Sequence, residues 1–261
     1  MNTDEYLKLA EVEDQMWYFR SLHGHVLREL RLLAGRAAEP APVPAGGAGE
    51  AASRPEVLDA GCGTGGLILR LRDSHPGWKY AGIDFMPMAC ELARQRCGPE
   101  VDLRVASITE LPFESERFDA VVSADVVCQV ENPEVAAREF FRVLRPGGIV
   151  ILNVPAYMWM WSYHDDSCQT KHRYTRPEID RLLRDAGFAE RRTTHWNALP
   201  FPALWAKRKI FRTSRDTSDV KRYPAPIEAA CNGLMAIEHA WLRAGGKWGW
   251  GTSVFGVARK P

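Results

Sequence analysis

The sequence predicts an α/β fold built on a parallel sheet with helices on both faces, and three observations carry that expectation. Residues 57–67 (VLDAGCGTGGL) read as a buried strand, a glycine loop and the start of a helix. Glycines 61, 63, 65 and 66 allow positive φ and let a ligand approach main-chain N–H groups. Residues 80–84 (YAGID) read as a second buried strand that ends in an acid eighteen residues after Gly66. From 56 to 154 strand-like and helix-like stretches then alternate, which is how parallel strands are joined.

Taken in order, residues 4–35 predict helix, because Leu7, Leu9, Val12, Met16, Phe19, Leu22, Val26, Leu30 and Leu33 recur at roughly helical spacing until Gly35. Residues 37–54 are almost wholly Ala, Pro, Gly and Glu, too poor in large apolar groups to build a core, and predict a flexible tether. Strands are expected near 56–60, 79–83, 101–105, 118–124 and 148–154. A helix near 176–186 closed by Gly187 leads to a sixth strand near 188–195, and residues 253–259 supply a seventh. More than fifty residues separate the last two strands, too many for a simple connection, so a folded lid is expected there. The expected organisation is a helical cap (1–36), a tether (37–54), a catalytic core (55–195), a lid insertion (196–250) and a returning last strand (251–261).

Composition narrows the function. Lysine and arginine number 34 against 33 acids, so no strong overall field gathers nucleic acid. The six cysteines show no metal spacing, as expected of free thiols in a reducing cytoplasm. The chain opens acidic rather than basic and apolar, and holds no long uncharged apolar run. A cytoplasmic protein without a membrane span, monomer or homodimer, acting on a small molecule, is the expectation.

The loop alone does not select a cofactor, since glycines 61, 63 and 66 also fit the dinucleotide fingerprint. Asp59, two residues before the first glycine, suits an ammonium better than a pyrophosphate. Asp84 can accept both hydroxyls of a ribose, a need common to NAD and S-adenosylmethionine. Residues 103–113 with Leu-Pro-Phe, 118–125 with Phe-Asp, and 142–152 with Arg-Pro-Gly-Gly break the tie.

As an ordered set, these motifs make residues 55–190 resemble the class I S-adenosylmethionine-dependent methyltransferases of the ubiquinone and menaquinone methyltransferase-like branch. The resemblance implies a Rossmann-like, seven-stranded, mostly parallel sheet whose last strand is antiparallel. It implies S-adenosyl-L-methionine as cofactor, with Asp59, Gly61 and Gly63 at the methionine end, Asp84 at the ribose and Phe85 or Met86 against the adenine. Ser107, beside Ile108, stands where the family often has an Asp for the adenine amino group. Asp125 opens a stretch in which Cys128 and Gln129 replace a Glu-His pair common among relatives, so a role borrowed from that histidine does not transfer. Cys62 fills the place of a small loop residue. Tyr18, within the aromatic-plus-arginine run 17–20, resembles an opening signature of the branch and predicts a lid over the cofactor.

Methyl transfer is an in-line displacement, so holding the reactants and excluding water is the main requirement, and no metal is expected. Tyr157, Trp159, Trp161 and Tyr163 alternate after the fifth strand and would line one face of an extended chain as an aromatic wall for an apolar acceptor. His164, His172 and Tyr157 are the candidate catalytic residues, the histidines as proton acceptors, with Arg173 expected to pair with a protein carboxylate. The expected function is methylation of an oxygen or nitrogen on a small or medium-sized, partly apolar metabolite. A cofactor-binding cyclase or partner subunit and an NAD oxidoreductase are the alternatives. The basic, aromatic insertion is read as an ordinary lid, with a membrane surface or a lipid-linked sugar as the other reading.

Overall fold

The computed structural model describes residues 3–37, 54–210 and 219–261. Nearly all of the tether expected at 37–54, and Phe211, Arg212 and Arg215 of the lid, lie outside the described residues. Seven strands form one sheet: β1 (Glu56–Ala60), β2 (Lys79–Asp84), β3 (Asp102–Val105), β4 (Phe118–Ala124), β5 (Leu144–Pro155), β6 (Ala189–Trp196) and β7 (Ser253–Arg259). Their order is β3-β2-β1-β4-β5-β7-β6, with β7 antiparallel to both neighbours and the other pairings parallel. The expected fold is present.

Buried residues on alternate strand positions feed two separate cores. Val57, Ile149 and Ile151 belong to one, Leu58, Val150 and Leu152 to the other. Strands covered on both faces therefore read as continuous apolar runs. On the first face lie α1 (Thr3–Val12), α2 (Trp17–Ala37), α3 (Gly66–Ser74) and α4 (Pro87–Cys97). The second carries α5 (Pro133–Val143), followed in the chain by the short α6 (Tyr163–Ser167), and α7 (Arg176–Asp185). The insertion folds as α8 (Phe201–Lys209) and α9 (Ala225–Arg243), and α9 lies along α2 on the first face.

One expected element is split. The run 4–35 breaks between Val12 and Trp17 because tertiary partners act there. Glu13 binds Thr64 of the glycine loop and Arg96 of α4, while the Trp17 N–H that opens α2 donates to Glu228 of α9 at 2.9 Å. A helix N-terminus leaves unsatisfied N–H groups, and here a residue 211 positions away satisfies one.

Candidate functional site

Strand order reverses between β1 and β4, and in open α/β sheets such a switch point leaves a crevice at the carboxyl edge. A cavity of about 1190 Å³ opens there. Gly61 runs at φ 110°, and a Cβ on it would come within 2.1 Å of the Val126 side chain, so only glycine fits. Asp59 lines the cavity at 3% exposure, and among the described residues no group donates a hydrogen bond to its carboxylate. Burial, reinforced by neighbouring Asp84, pushes its pKa up to about 7. A cation in the cavity would relieve that cost.

Asp84 ends β2 opposite the loop. Its Oδ2 accepts the Gly63 N–H at 3.0 Å, and its Oδ1 accepts the Met86 N–H and the Tyr6 hydroxyl, both at 2.9 Å. Phe85 projects beyond at 75% exposure, and the Ser107 hydroxyl is engaged with Thr109, 2.7 Å away. Cys62 is a buried free thiol whose pKa is raised, chiefly through Cys90 and burial, so it is inert packing in the loop.

Asp125 follows β4 at φ 59° and is held from two sides. Its Oδ2 accepts the Tyr18 hydroxyl at 2.8 Å and its Oδ1 accepts Asn153 Nδ2, also at 2.8 Å. Asn153 Oδ1 in turn accepts Trp196 Nε1 at 2.7 Å, and the Tyr18 ring stacks on Trp196 with centroids 5.3 Å apart. Burial pushes the Asp125 pKa up to about 6, with the Tyr18 and Asn153 hydrogen bonds opposing the rise.

Beyond Asp125 the cavity wall is ionic rather than aromatic. Arg173 Nη1 binds Asp165 at 2.6 Å, both side chains being 1% exposed, and Arg208 binds Asp219 at 2.7 Å. His164 lies among them, its Nδ1 accepting the Asp219 N–H at 3.2 Å. Burial first, then Arg208, lowers its pKa to about 4, so it is neutral and its Nδ1 lone pair is occupied. That is a poor proton acceptor. Asp165, the neighbouring acid, serves Arg173 instead.

Two expected catalytic residues lie elsewhere. Tyr157 and His172 do not line the cavity. The Tyr157 hydroxyl is 3.0 Å from His195 Nε2 and its ring stacks on Trp159, while His172 Nε2 sits 3.1 Å from Glu178 Oε1 at the N-terminus of α7. The expected aromatic wall is absent because the chain is not extended there. Tyr157 has φ 61°, a 3-10 turn covers Met158–Met160, and α6 begins at Tyr163. Alternation in sequence then no longer means one face.

The cavity brings together Asp59, Gly61, Cys62, Gly63, Asp84, Phe85, Met86, Ser107, Ile108, Asp125, Tyr18 and His164. Sequence reasoning missed Tyr6, Glu13, Arg208 and Asp219, which reach it from the cap and the lid. It also missed Asn153, whose lone amide in the apolar strand ILNVP was a usable signal.

Residues 58–152 match the family described as Methyltransferase domain. They are a class I methyltransferase domain. Over 103 residues the chain is 39% identical to demethylmenaquinone methyltransferase of Thermus thermophilus, covering 38% of this chain and 47% of that protein. The chain thus spans about half the length of the curated relatives it matches first. Among solved structures, phosphoethanolamine N-methyltransferase 2 of Haemonchus contortus with S-adenosyl-L-methionine superposes at TM-score 0.55, with 17% identity over 90% of this chain and 52% of that one. A cyclase, SpnF, superposes at 0.54, with 20% identity over 90% of this chain and 81% of that one. At such identities the likeness is one of fold, and the methyltransferase domain shares it across enzymes of different chemistry.

Proposed function

We propose that this chain transfers a methyl group from S-adenosylmethionine to an oxygen or nitrogen of a small or medium-sized metabolite. The observation that carries the reading is Asp59, a buried carboxylate without a hydrogen-bond donor, placed before the glycine loop of a methyltransferase domain. It meets the ammonium of the methionine tail. Gly61 admits the main chain to close contact, and Asp84 offers carboxylate oxygens to the ribose diol once Tyr6 yields its place. Phe85, Met86, Ser107 and Ile108 line the cavity where the adenine would lie. When bound, the cofactor supplies an electrophilic methyl on a positively charged sulfur.

Asp125 is the group suited to accept the proton that a hydroxyl or ammonium acceptor loses. It lines the cavity, and its pKa of about 6 keeps it mostly ionised at neutral pH. Tyr18 orients that carboxylate and closes the site from α2. His164, neutral and bonded through Nδ1, positions the acceptor as an N–H donor. The ionic lining from Arg173, Asp165, Arg208 and Asp219 supports an acceptor bearing polar or charged groups alongside its apolar portion.

A thermal-shift comparison of S-adenosylhomocysteine with NAD tests the cofactor. Stabilisation by the first alone is expected, and stabilisation by NAD alone overturns the reading. Incubation with a methyl-labelled donor then tests transfer, and cofactor uptake without labelled product across candidate acceptors would favour a non-transferring enzyme.

A further inference from the structure

The lid sorts its charges and its apolar groups the wrong way round for an ordinary surface helix. Between residues 219 and 250 the acids are Asp219, Glu228 and Glu238, and all three serve the interior. Asp219 binds Arg208; Glu228 receives the Trp17 N–H; Glu238, fully buried, accepts the N–H groups of Asn197, Ala198 and Leu199. The outward face of α9 instead carries Ile227, Leu234, Ile237 and Trp241, exposed by 46, 37, 62 and 51%, with alanines and Gly233 between them. Trp250, 52% exposed, continues the patch, joined to Trp241 through the partly buried Trp248, whose ring lies 6.2 Å from Trp241 and 6.0 Å from Trp250. A face of this kind, uncharged along roughly 21 Å of helix from Ile227 to Trp241, is unstable against water unless something covers it.

The charges at its edges say what covers it. Lys221 and Arg222 precede the helix, Arg243 closes its last turn, Lys247 follows it, and all four are exposed. Exposed cations at both ends, no outward acid between them, and tryptophans at one end match the interfacial zone of a membrane, where indoles sit at headgroup depth and Lys or Arg reach anionic lipid. A second copy of the chain fits less well. Antiparallel pairing of two α9 helices would set Lys221 and Arg222 against Arg243 and Lys247 of the copy, cation against cation. No helix among the described residues is long and apolar enough to cross a membrane, so the contact is peripheral. We propose that the outward face of α9, with the exposed Trp250 that follows it, seats this protein on an anionic lipid bilayer.

The seat and the site share one piece of structure. Leu204, Arg208, Val220 and Tyr223 line the cavity from α8 and the approach to α9, so a lipid-bound α9 would hold the lid beside the bilayer surface. The balanced net charge of the chain hides this, because the basic rim is local.

Co-sedimentation of the full chain with phosphatidylcholine vesicles, with and without phosphatidylglycerol, tests the proposal. Binding to the anionic vesicles is expected, weakening about fivefold for each rim cation neutralised by K221Q or R243Q and falling further in high salt. L234E and I237E should each reduce binding about tenfold or more while leaving the thermal midpoint unchanged, since both side chains point outward. No binding to either vesicle overturns the proposal, as does equal binding to both. A dimer in light scattering that I237E converts to monomer, with no vesicle binding by the wild type, would assign the face to a second copy instead.

Discussion

The two walls of the cavity are held by different means. The sheet wall, from Asp59 through the glycine loop to Asp84, is built by residues close in sequence and by neighbouring strands in register, with Gly61 and Cys62 N–H groups both donating to Ile83 of β2. The cap wall, from α1, α2 and α8 with α9 packed against α2, is assembled by side chains reaching across the chain: Tyr6 to Asp84, Glu13 to Thr64, Tyr18 to Asp125, and Glu228 to Trp17. Backbone geometry makes the first wall rigid before any ligand arrives. Individual polar contacts make the second, so each is a place where the cap can be loosened without unmaking the sheet.

The largest break in that comparison should come where the walls meet. Asp125→Asn keeps the shape of the Tyr18 and Asn153 contacts but removes the proton acceptor, so kcat should fall about 100- to 10,000-fold with cofactor affinity little changed. In the wild type the acid limb of the pH–rate profile should rise through about 6, the Asp125 value. A variant with an unaltered rate would move the base elsewhere.

On the sheet wall, Asp84→Ala removes charge-assisted hydrogen bonds to the ribose and should weaken S-adenosylhomocysteine binding about 100-fold or more by calorimetry. Unchanged affinity would end the cofactor assignment.

Asp59→Asn sharpens the contrast, because it should improve the fold while harming the site. The folded pKa of about 7 lies above the ordinary 3.8, so the folded state binds this proton more tightly than the unfolded state does. Stability from this group is therefore intact below the unfolded value, declines as pH rises towards about 7, and stays low above it. At pH 8 the variant should be more stable than wild type by about 2 to 4 kcal/mol, and equal to it at low pH, as read by denaturant titration. Cofactor binding should weaken at every pH.

The smallest effect belongs to the cap alone. Glu228→Ala strips the N-terminal partner from α2 and should cost about 1 kcal/mol, a shift of a few degrees or less in Tm, with the sheet wall and cofactor affinity intact. A large loss of affinity would mean that α2 is part of the cofactor site in its own right.

Legibility followed the same division. The strands, the glycine loop and the strand-end acids were readable because periodicity, glycine and a terminal carboxylate act locally. Asp84 and Asp125 needed only to end their strands for the switch point to gather them. His164 reached the cavity but not as the expected base, since its neighbour Asp165 turned to Arg173 and Asp219 took its Nδ1. Tyr157 lies off the cavity because a positive φ there and the turn after it redirect a segment that alternation made look extended, and His172 lies off it beside Glu178 of α7.

By itself, the chain's order of residues determined the α/β architecture and the carboxylate-and-glycine crevice, because buried strands on both faces and bare main chain leave few other arrangements. Tertiary structure decided which groups close the cavity, how Asp59 and Asp125 titrate, and that α9 turns its apolar side outward. Those properties depend on burial and on partners up to 218 positions away, and no local pattern carries that information.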